Sequence, residues 1–498
     1  RKRMRYISTR DNAESVQAAE AIVRGMVPQG GLYVPQEIPK LDEAALGAMV
    51  DLSYQALAKE ILALYLDDFS AEEISTMVDA AYDASRFDDA EVAPVVKIHD
   101  GLFALELWHG PTAAFKDMAL QLLPHLLVHS MKKTGVDKEV VILVATSGDT
   151  GKAALEGFKD VEGTSIICFY PDGGVSEVQE LQMLTTGGSN TYTFAVKGNF
   201  DDCQRAVKEA FANEALLAEV DALGCQFSSA NSINWGRLLP QIVYYFAAYM
   251  QLVRKGEIAF GDAIDFTVPT GNFGNILAGW FAREMGLPIG KLVCASNAND
   301  VLDDFIRTGT YDANRPFMKT NSPSMDILIS SNLERFLYFM SGRDGAAVTA
   351  DMQALAKDGR YSVADAVREN MAQVLASGAE NEAQTLAIIG DVFAKDGYLL
   401  DTHTAVAVGV AEAHNEGRVM VVDSTANPYK FVGAVSEAVN GEKSDASDLD
   451  LLGALAEKTG VPVHPALADL TAKPRSERHV ITTAEINEAV LGVIKSRK

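Results

Sequence analysis

One pattern limits the possible folds of this chain more than any other: short apolar runs alternate with glycine-containing loops and helical runs. The pattern occurs as VVILVATSGDTG before KAALEGF, SIICFYPDGG before VSEVQELQML, TYTFAVKGNF before DDCQRAVKEAF, and DFTVPTGNFGN before ILAGWFAREMG. A strand, a loop and a helix in repeated order are typical of α/β proteins. The sequence therefore predicts an α/β fold with parallel sheets, and VMVVDST is a further predicted strand.

Two regions lack this alternation and have apolar residues at helical spacing instead. The first runs from Leu41 to about Arg86 and predicts a helical N-terminal unit. The second runs from about Leu333 to Ala394, and the polar tail from Gly441 onward is also predicted to be helical. A chain of 498 residues is long enough for about three domains.

The charge balance excludes two classes of partner. The chain has 43 basic and 68 acidic residues, a net charge of −25, which would repel nucleic acid phosphates and anionic lipid. The longest apolar run, Leu239 to Val253, is shorter than a membrane span and predicts a buried helix. The N-terminus has no apolar signal segment, and the four cysteines match no metal or disulfide spacing, so we expect a cytoplasmic protein.

Ligands of open α/β sheets bind at the carboxyl ends of the strands, where helix N-termini favour anions. The loop from Thr270 to Asn275, TGNFGN, has two glycines that allow a tight turn with several N–H groups facing one phosphate. A plain tight turn is the alternative. The loop from Thr146 to Gly151, TSGDTG, is not a nucleotide P-loop, because Thr146 and Ala153 break that motif. Its alternative is a helix capped by Asp149 and Thr150.

A third candidate anion site is SINWGR, from Ser232 to Arg237. A cation in the first turn of a helix lies at the unfavourable end of the helix dipole, so Arg237 needs an anionic neighbour. That neighbour is either a carboxylate from another element or a ligand. Three such sites on an acidic protein indicate positive potential focused on a phosphorylated ligand.

The segment HGPTAAFKD, from His109 to Asp117, places Lys116 in apolar surroundings. Desolvation favours a neutral, nucleophilic amine, which suits Schiff-base chemistry. The alternative is a lysine that reaches past the apolar residues into solvent. His125 and His129 are four residues apart without the glutamate of HExxH, and GxSxG is missing, so we predict neither a metal site nor a serine hydrolase.

Five motifs together carry a resemblance to a known family: HGPTAAFKD, ATSGDTGKAA, VPTGNFGNILAG, SPSMDILISSNLERF and DSTANPYKF. In this order and spacing they resemble threonine synthases of the longer subgroup, which are pyridoxal-phosphate enzymes of the tryptophan-synthase-β fold type. The match runs from GGLYVP at Gly30 to about Phe431.

Together with the pattern, the resemblance implies two parallel-sheet domains with the coenzyme in the cleft between them, and an N-terminal mainly helical domain. The implied helical domain is 1–92. The large coenzyme-binding domain is 93–133 and 246–498, with a helical insertion at about 333–394. The small mobile domain is 134–245.

The resemblance also implies the roles of site residues. Lys116 forms the Schiff base with pyridoxal 5′-phosphate, and Asp149 faces the 3′ oxygen of the coenzyme. The coenzyme phosphate is held by Gly271, Asn272, Phe273, Gly274 and Asn275. Thr425, with Ser424 beside it, meets the pyridine nitrogen. The substrate carboxylate is held by Thr146, Ser147, Gly148 and Thr150, and the substrate phosphate by Ser232, Asn234 and Arg237. His403 and Lys430 fall in family motifs without an assigned role.

The implied reaction converts O-phospho-L-homoserine and water to L-threonine and phosphate, the last step of threonine biosynthesis. We expect a monomer or a homodimer. One alternative is a lyase of the same fold that eliminates ammonia or phosphate from serine, threonine or a phosphorylated analogue. A phosphate site at Ser232 and Arg237 would distinguish the two, because a dehydratase does not need it. The other alternative is a coenzyme-binding regulatory protein without turnover, against which an intact Lys116 argues.

Overall fold

Parallel strands organise the protein, a computed structural model that describes residues 2–146 and 148–498. The strands are β1 (Tyr6–Ser8), β2 (Tyr33–Pro35), β3 (Val95–His99), β4 (Leu102–Glu106), β5 (Glu139–Ala145), β6 (Thr164–Pro171), β7 (Thr191–Lys197), β8 (Cys225–Ser228), β9 (Ile264–Pro269), β10 (Ile289–Ser296), β11 (Thr310–Asp312), β12 (Arg360–Ser362), β13 (Leu375–Ala379), β14 (Met420–Ser424) and β15 (Val480–Thr482). All five strands predicted from the sequence are present, as β5, β6, β7, β9 and β14.

Most of the remaining chain is helical. The helices are α1 (Ala18–Arg24), α2 (Glu43–Gly47), α3 (Tyr54–Tyr65), α4 (Ala71–Ala81), α5 (Asp117–Leu120), α6 (Leu123–Lys133), α7 (Asp149–Phe158), α8 (Glu177–Leu184), α9 (Phe200–Ala212), α10 (Glu214–Ala222), α11 (Trp235–Arg254), α12 (Gly274–Met285), α13 (Val301–Thr308), α14 (Leu333–Met340), α15 (Gly345–Asp358), α16 (Asp365–Val374), α17 (Glu382–Asp396), α18 (Thr402–Ala413), α19 (Val432–Asn440), α20 (Asp448–Thr459), α21 (Pro465–Ala468) and α22 (Ile486–Ser496). Short 3₁₀ turns occupy Pro323–Met325, Pro428–Phe431 and Thr483–Glu485.

The described residues form two main sheets. The large sheet has the order β13-β10-β9-β14-β4-β3 and is parallel except for the antiparallel pair of β3 and β4. The small sheet has the order β15-β7-β6-β5-β8 and is parallel throughout. The predicted α/β class with parallel sheets is confirmed.

The helix α11 is the apolar run that the sequence predicts to be buried. Every residue from Trp235 to Leu252 is buried, and the helix packs against α12 and α3. In residues 2–146 and 148–498, no helix has both the length and the apolar character needed to cross a membrane. The run is therefore a core element, as predicted.

The N-terminal region is helical where the sequence predicts it, in α2, α3 and α4, but it shares its core with the large-sheet region. Tyr6 packs on Trp235 with ring centroids 5.5 Å apart, and the Tyr82 hydroxyl donates to the Met118 carbonyl at 2.6 Å. The same apolar cluster continues through α11 to Phe266 of β9. A separate N-terminal helical domain is therefore not clearly shown.

Three short strands lie where the sequence predicts helix or polar tail. Two of them interrupt the predicted helical insertion at 333–394: β12 pairs with β11, and β13 pairs in parallel with β10 as the edge strand of the large sheet. The strand β15 pairs in parallel with β7, so Val480–Thr482 belong to the small sheet, whereas the sequence assigns 246–498 to the large domain. Each of these strands has three to five residues, too few for an alternating apolar pattern to reveal it.

Candidate active site

The loop that carries Lys116 is held against the loop that follows β14. The Phe115 N–H donates to the Thr425 carbonyl at 2.8 Å, and the Asn427 N–H donates to the Ala113 carbonyl at 2.9 Å. Ala113 itself has a left-handed backbone, with φ of 61°. Lys116 directly precedes α5. These bonds hold the lysine at the carboxyl end of the central strands of the large sheet.

Asp117 closes the same loop from within. Its carboxylate accepts from the Thr112 N–H at 2.8 Å and from the Thr112 hydroxyl at 2.7 Å. Gly110 is required here because a Cβ atom would lie 2.7 Å from the Asp117 carboxylate. Burial raises the pKa of Asp117 to about 6, while its bonds to Thr112 oppose the rise.

The electrostatic surroundings of Lys116 favour an uncharged amine. Burial lowers the pKa of Lys116 to about 8; the negative charge of Asp149 opposes this shift, while the positive charges of Lys430 and Arg237 add to it. A large fraction of the amine is therefore neutral near pH 8. This agrees with the expectation that desolvation makes Lys116 nucleophilic.

Lys430 and Asp149 form an ion pair beside Lys116. The Lys430 Nζ lies 3.4 Å from Asp149 Oδ1 and donates to the Thr112 carbonyl at 2.9 Å; its side chain is 2% exposed. Burial alone would raise the pKa of Asp149, but Lys430, Lys116 and His403 outweigh it and hold that pKa below its ordinary value. Asp149 is therefore ionised at neutral pH.

The loop before α7 is shaped by close contacts. The Thr146 hydroxyl accepts from the N–H groups of Gly148 and Gly151, both at 2.9 Å, and keeps its own proton for donation. Gly148 has φ of 136°, and a Cβ there would lie 2.5 Å from the Gln179 side chain. Thr150, in the first turn of α7, is partly exposed. Ser147 lies outside the residues that the structure describes.

In the loop between β9 and α12, the backbone of Gly271 lies very close to the backbone of Ser324. A Cβ on Gly271 would lie 2.6 Å from the Ser324 carbonyl oxygen, so this position has no room for a side chain. Phe273 has a left-handed backbone, with φ of 69°. The Asn272 carbonyl is held by the Asn332 N–H at 2.9 Å. This turn leads into the N-terminus of α12 at Gly274, which suits an anion.

Asn275, in the first turn of α12, is held by two tyrosines. Its Oδ1 lies 2.7 Å from the Tyr244 hydroxyl and 2.6 Å from the Tyr245 hydroxyl. Within the described part of the chain, its buried Nδ2 has no hydrogen-bond partner. The carbonyl of this side chain therefore faces the core.

Two hydroxyl residues end β14 next to the Lys116 loop. Ser424 Oγ accepts from the Trp108 indole N–H at 3.1 Å and lies 3.2 Å from Thr404 Oγ1. Thr425 is buried, and its carbonyl accepts from the Phe115 N–H. Because Thr404 gives its single proton to the Asp401 carboxylate, the Ser424 hydroxyl donates to Thr404 and keeps one lone pair for a ligand donor.

Arg237 is a buried cation in the first turn of α11, with 6% of its surface exposed. Its Nη1 donates to the Ala230 carbonyl at 2.6 Å, whereas its Nε is buried without a partner among the described residues. Burial lowers the pKa of Arg237 to about 10, and no acidic group opposes this shift. Of the two partners expected from the sequence, a carboxylate from another element is not found in residues 2–146 and 148–498.

The two other residues predicted for this site have neighbours of their own. Ser232 Oγ lies 3.2 Å from Ser331 Oγ and is partly exposed. Asn234 caps α11 by accepting from the Gly236 N–H at 2.9 Å, and its amide donates to the Ile22 carbonyl at 3.0 Å. Asn234 thus has a structural task, and its substrate contact stays a prediction.

Comparison with known proteins gives the family. Three family models match the chain: threonine synthase N terminus over residues 5–82, pyridoxal-phosphate dependent enzyme over 91–357, and threonine synthase C-terminal over 404–490. The threonine synthase of Pseudomonas aeruginosa is 40% identical over 442 residues, which cover 88% of this chain and 91% of that protein. This chain belongs to the threonine synthase family.

Other relatives of the family are equally similar but longer. Human threonine synthase-like 1 is 38% identical over 97% of this chain and 67% of its own length. The orangutan (Pongo abelii) protein of the same name matches over 66% of its length, so the chain spans about two thirds of these relatives.

Solved structures of the family share the fold. The pyridoxal-phosphate-bound threonine synthase of Brucella melitensis has a TM-score of 0.89 and 38% identity, and covers 99% of this chain and all of its own. Yeast threonine synthase has a TM-score of 0.88 and 34% identity, over 99% of both chains.

This member of the threonine synthase family is a pyridoxal-phosphate-dependent enzyme, and its residues fit that coenzyme. The site residues include a lysine with a lowered pKa, a narrow glycine loop at a helix start, and a buried guanidinium whose Nε has no partner among the described residues. An amine, an anion site and hydroxyl donors are the groups that an aldehyde, a phosphate and a pyridine ring require.

Sequence reasoning gave no role to His403, which the structure places behind the glycine loop. His403 Nε2 accepts from the Ser324 N–H at 3.1 Å, and its Nδ1 lies 2.9 Å from Asp401 Oδ2. The Ser324 carbonyl lies close to Gly271, so the hydrogen bond from the Ser324 N–H to His403 positions the backbone that lines the glycine loop. Trp108, bonded to Ser424, was also missed. Nothing in the sequence around His403 or Trp108 indicates these hydrogen bonds.

Proposed function

We propose that this chain is a threonine synthase, which converts O-phospho-L-homoserine and water to L-threonine and phosphate. The observation that carries the proposal is Arg237, a buried guanidinium close enough to Lys116 to lower its pKa. Among the described residues, its Nε has no hydrogen-bond partner and no acidic group lowers the cost of its burial. A buried cation without a counter-charge is costly, so an anionic substrate group best accounts for it.

The coenzyme would be held by the residues implied from the sequence. Lys116 carries it covalently, and the glycine loop from Gly271 to Asn275 takes its phosphate. Thr425 and Ser424 meet its ring nitrogen, and Asp149, kept ionised by Lys430, faces its 3′ oxygen. When bound, pyridoxal phosphate takes up the electrons released at the carbon atoms of the substrate.

Lys116 would move the protons. Its amine, freed when substrate binds, removes the proton from the α carbon and later one from the β carbon. A proton is delivered to the γ carbon, which becomes the methyl group after phosphate leaves, and one finally returns to the α carbon. A pKa of about 8 lets one group both accept and donate protons near neutral pH. Lys116 or the released phosphate delivers the water that adds at the β carbon.

The other residues would orient the substrate. Thr146, Gly148 and Thr150, with Ser147, take the amino-acid carboxylate at the start of α7, and Arg237 with Ser232 takes the phosphate. The guanidinium stabilises the negative charge that grows on the phosphate as it leaves the γ carbon. Closure of the small-sheet region over the substrate would exclude bulk water from the reaction.

The test measures phosphate release and threonine formation together, on purified protein with pyridoxal phosphate and O-phospho-L-homoserine. Equal yields of both products are expected. Phosphate released with a keto acid instead of threonine would identify a lyase. A bound coenzyme without turnover would show that the substrate is wrong, a necessary arm because the relatives include threonine synthase-like 1 proteins.

A further inference from the structure

A chain of buried polar groups lies below the coenzyme loops. Asp423, in β14, is fully buried, and its Oδ2 lies 2.7 Å from the Tyr245 hydroxyl. The same hydroxyl lies 2.6 Å from Asn275 Oδ1 and 2.9 Å from the Asn275 carbonyl. The three side chains therefore connect the end of β14 to the first turn of α12.

Asp423 is an unexpected residue for its position. The strand β14 lies inside the large sheet, and Val421 and Val422 before it are fully buried. A buried carboxyl group is costly unless hydrogen bonds or a counter-charge compensate it. No Lys, Arg or His pairs with Asp423 in the described ranges. The hydrogen bond with Tyr245 is therefore the contact that compensates for burial of the carboxyl group.

The Tyr245 hydroxyl is the donor of these bonds. Its single proton serves one of three acceptors at a time, which are Asp423 Oδ2, Asn275 Oδ1 and the Asn275 carbonyl oxygen. Burial raises the pKa of Asp423 to about 7, and the hydrogen bonds with Tyr245 and Asn275 oppose this rise. The hydroxyl therefore links the strand end to the first turn of α12, whichever acceptor holds the proton.

We propose that Asp423 and Tyr245 are positioning residues for the coenzyme: they fix the start of α12, with its phosphate loop, relative to the strand end that carries Ser424 and Thr425. Asn275 then serves the phosphate through its position in the first helical turn, while its side-chain carbonyl is anchored to the core. The inference rests on the proposed coenzyme contacts of the glycine loop and holds for any substrate.

The experiment measures the dissociation constant of pyridoxal phosphate for the coenzyme-free protein, together with the melting temperature of that protein without coenzyme. Tyr245→Phe should weaken coenzyme binding about tenfold, because one buried hydrogen bond is lost. The matched control is Tyr249→Phe in the same helix, whose hydroxyl donates to the Asp262 carbonyl away from the site. The control should leave coenzyme affinity unchanged.

The pair Asp423→Asn and Asp423→Leu tests the carboxyl group. Asparagine keeps an oxygen that accepts from the Tyr245 hydroxyl and should retain affinity within about threefold, whereas leucine should weaken it about tenfold. Equal losses in both variants would overturn the proposed role of Asp423. A Tyr245→Phe protein that loses melting temperature but binds the coenzyme like the wild type would overturn the positioning role.

Gly271→Ala separates the inference from the loop assignment on which it rests. Weaker coenzyme binding in Gly271→Ala with unchanged binding in Tyr245→Phe overturns the network alone. Unchanged binding in both variants overturns the loop assignment as well. Weaker binding in both supports the proposal.

Discussion

The two candidate phosphate sites differ in the groups that attract the anion. The loop at 271–275 offers backbone N–H groups at a helix start, shaped by a glycine with no room for a Cβ. The other site offers the buried Arg237 guanidinium, which has no acidic partner in the described part of the chain. A backbone site holds no desolvated charge when empty, whereas a buried cation is costly until its anion arrives. The first suits a resident group and the second suits a group that binds and leaves in every turnover.

Removal of Lys116 should have the largest effect. Lys116→Ala should abolish covalent coenzyme attachment and lower turnover about 10³-fold or more, because the proton-transferring amine is lost. Mass spectrometry after borohydride reduction would show it. Lys132→Ala, at an exposed position in α6, is the control and should keep the attachment. A borohydride-fixed coenzyme in Lys116→Ala would refute the lysine assignment.

The next effect separates substrate from coenzyme. Arg237→Ala should lower kcat/KM for the phosphorylated substrate about 100-fold, equivalent to about 3 kcal/mol for a charge-assisted contact. The dissociation constant of pyridoxal phosphate should stay the same. If coenzyme affinity falls while kcat/KM at saturating coenzyme does not, the two sites have been assigned the wrong way round.

The reverse experiment is Gly271→Ala. The new Cβ would meet the Ser324 carbonyl, and overpacking of this kind costs about 1–3 kcal/mol. Coenzyme binding should weaken about tenfold or more, with an unchanged KM for substrate at saturating coenzyme. Gly453→Ala, at an open position in α20, serves as the control. An increase in substrate KM alone would contradict the backbone site.

The smallest effect is that of the Arg237 charge on the pKa of the Lys116 amine. Only the neutral amine attacks the coenzyme. The rate at which coenzyme-free protein captures pyridoxal phosphate should therefore rise with pH through about 8, the pKa of Lys116. Arg237→Gln removes a positive charge and should move this midpoint upward by less than about one unit. Stopped-flow absorbance at several pH values would measure it. A midpoint near the ordinary lysine pKa would show that burial does not lower it.

The same lowered pKa makes the stability of the coenzyme-free protein depend on pH. Below about pH 8, Lys116 is protonated in both folded and unfolded chains, and the folded protein bears the cost of a buried charge. Above pH 8 the lysine of the folded chain loses its proton before that of the unfolded chain. The cost of the buried charge therefore falls, and the stability rises, as the pH increases from about 8 to the ordinary lysine pKa. Lys116→Met should remove this part of the pH dependence in urea unfolding.

The sequence predicts well those features that depend on neighbouring residues. The apolar strands, the glycine loop after β9 and the helix α12 that follows it all depend on local patterns. The ion pair of Asp149 and Lys430, and the bond of Asp423 to Tyr245, join residues far apart in the chain. Their geometry depends on how the sheets pack, and the motif alone does not reveal it.

The last strand and helix give the small sheet an unusual dependence on the order of synthesis. The strands β5 to β8 leave the ribosome early, but β15 pairs with β7, and Ile486, Val490 and Ile494 of α22 complete the apolar cluster on one face. That face stays uncovered until about 250 further residues have been made, counted from the end of β8 to β15. A growing chain therefore carries an exposed apolar surface through half of its translation, the state in which chaperones bind nascent proteins.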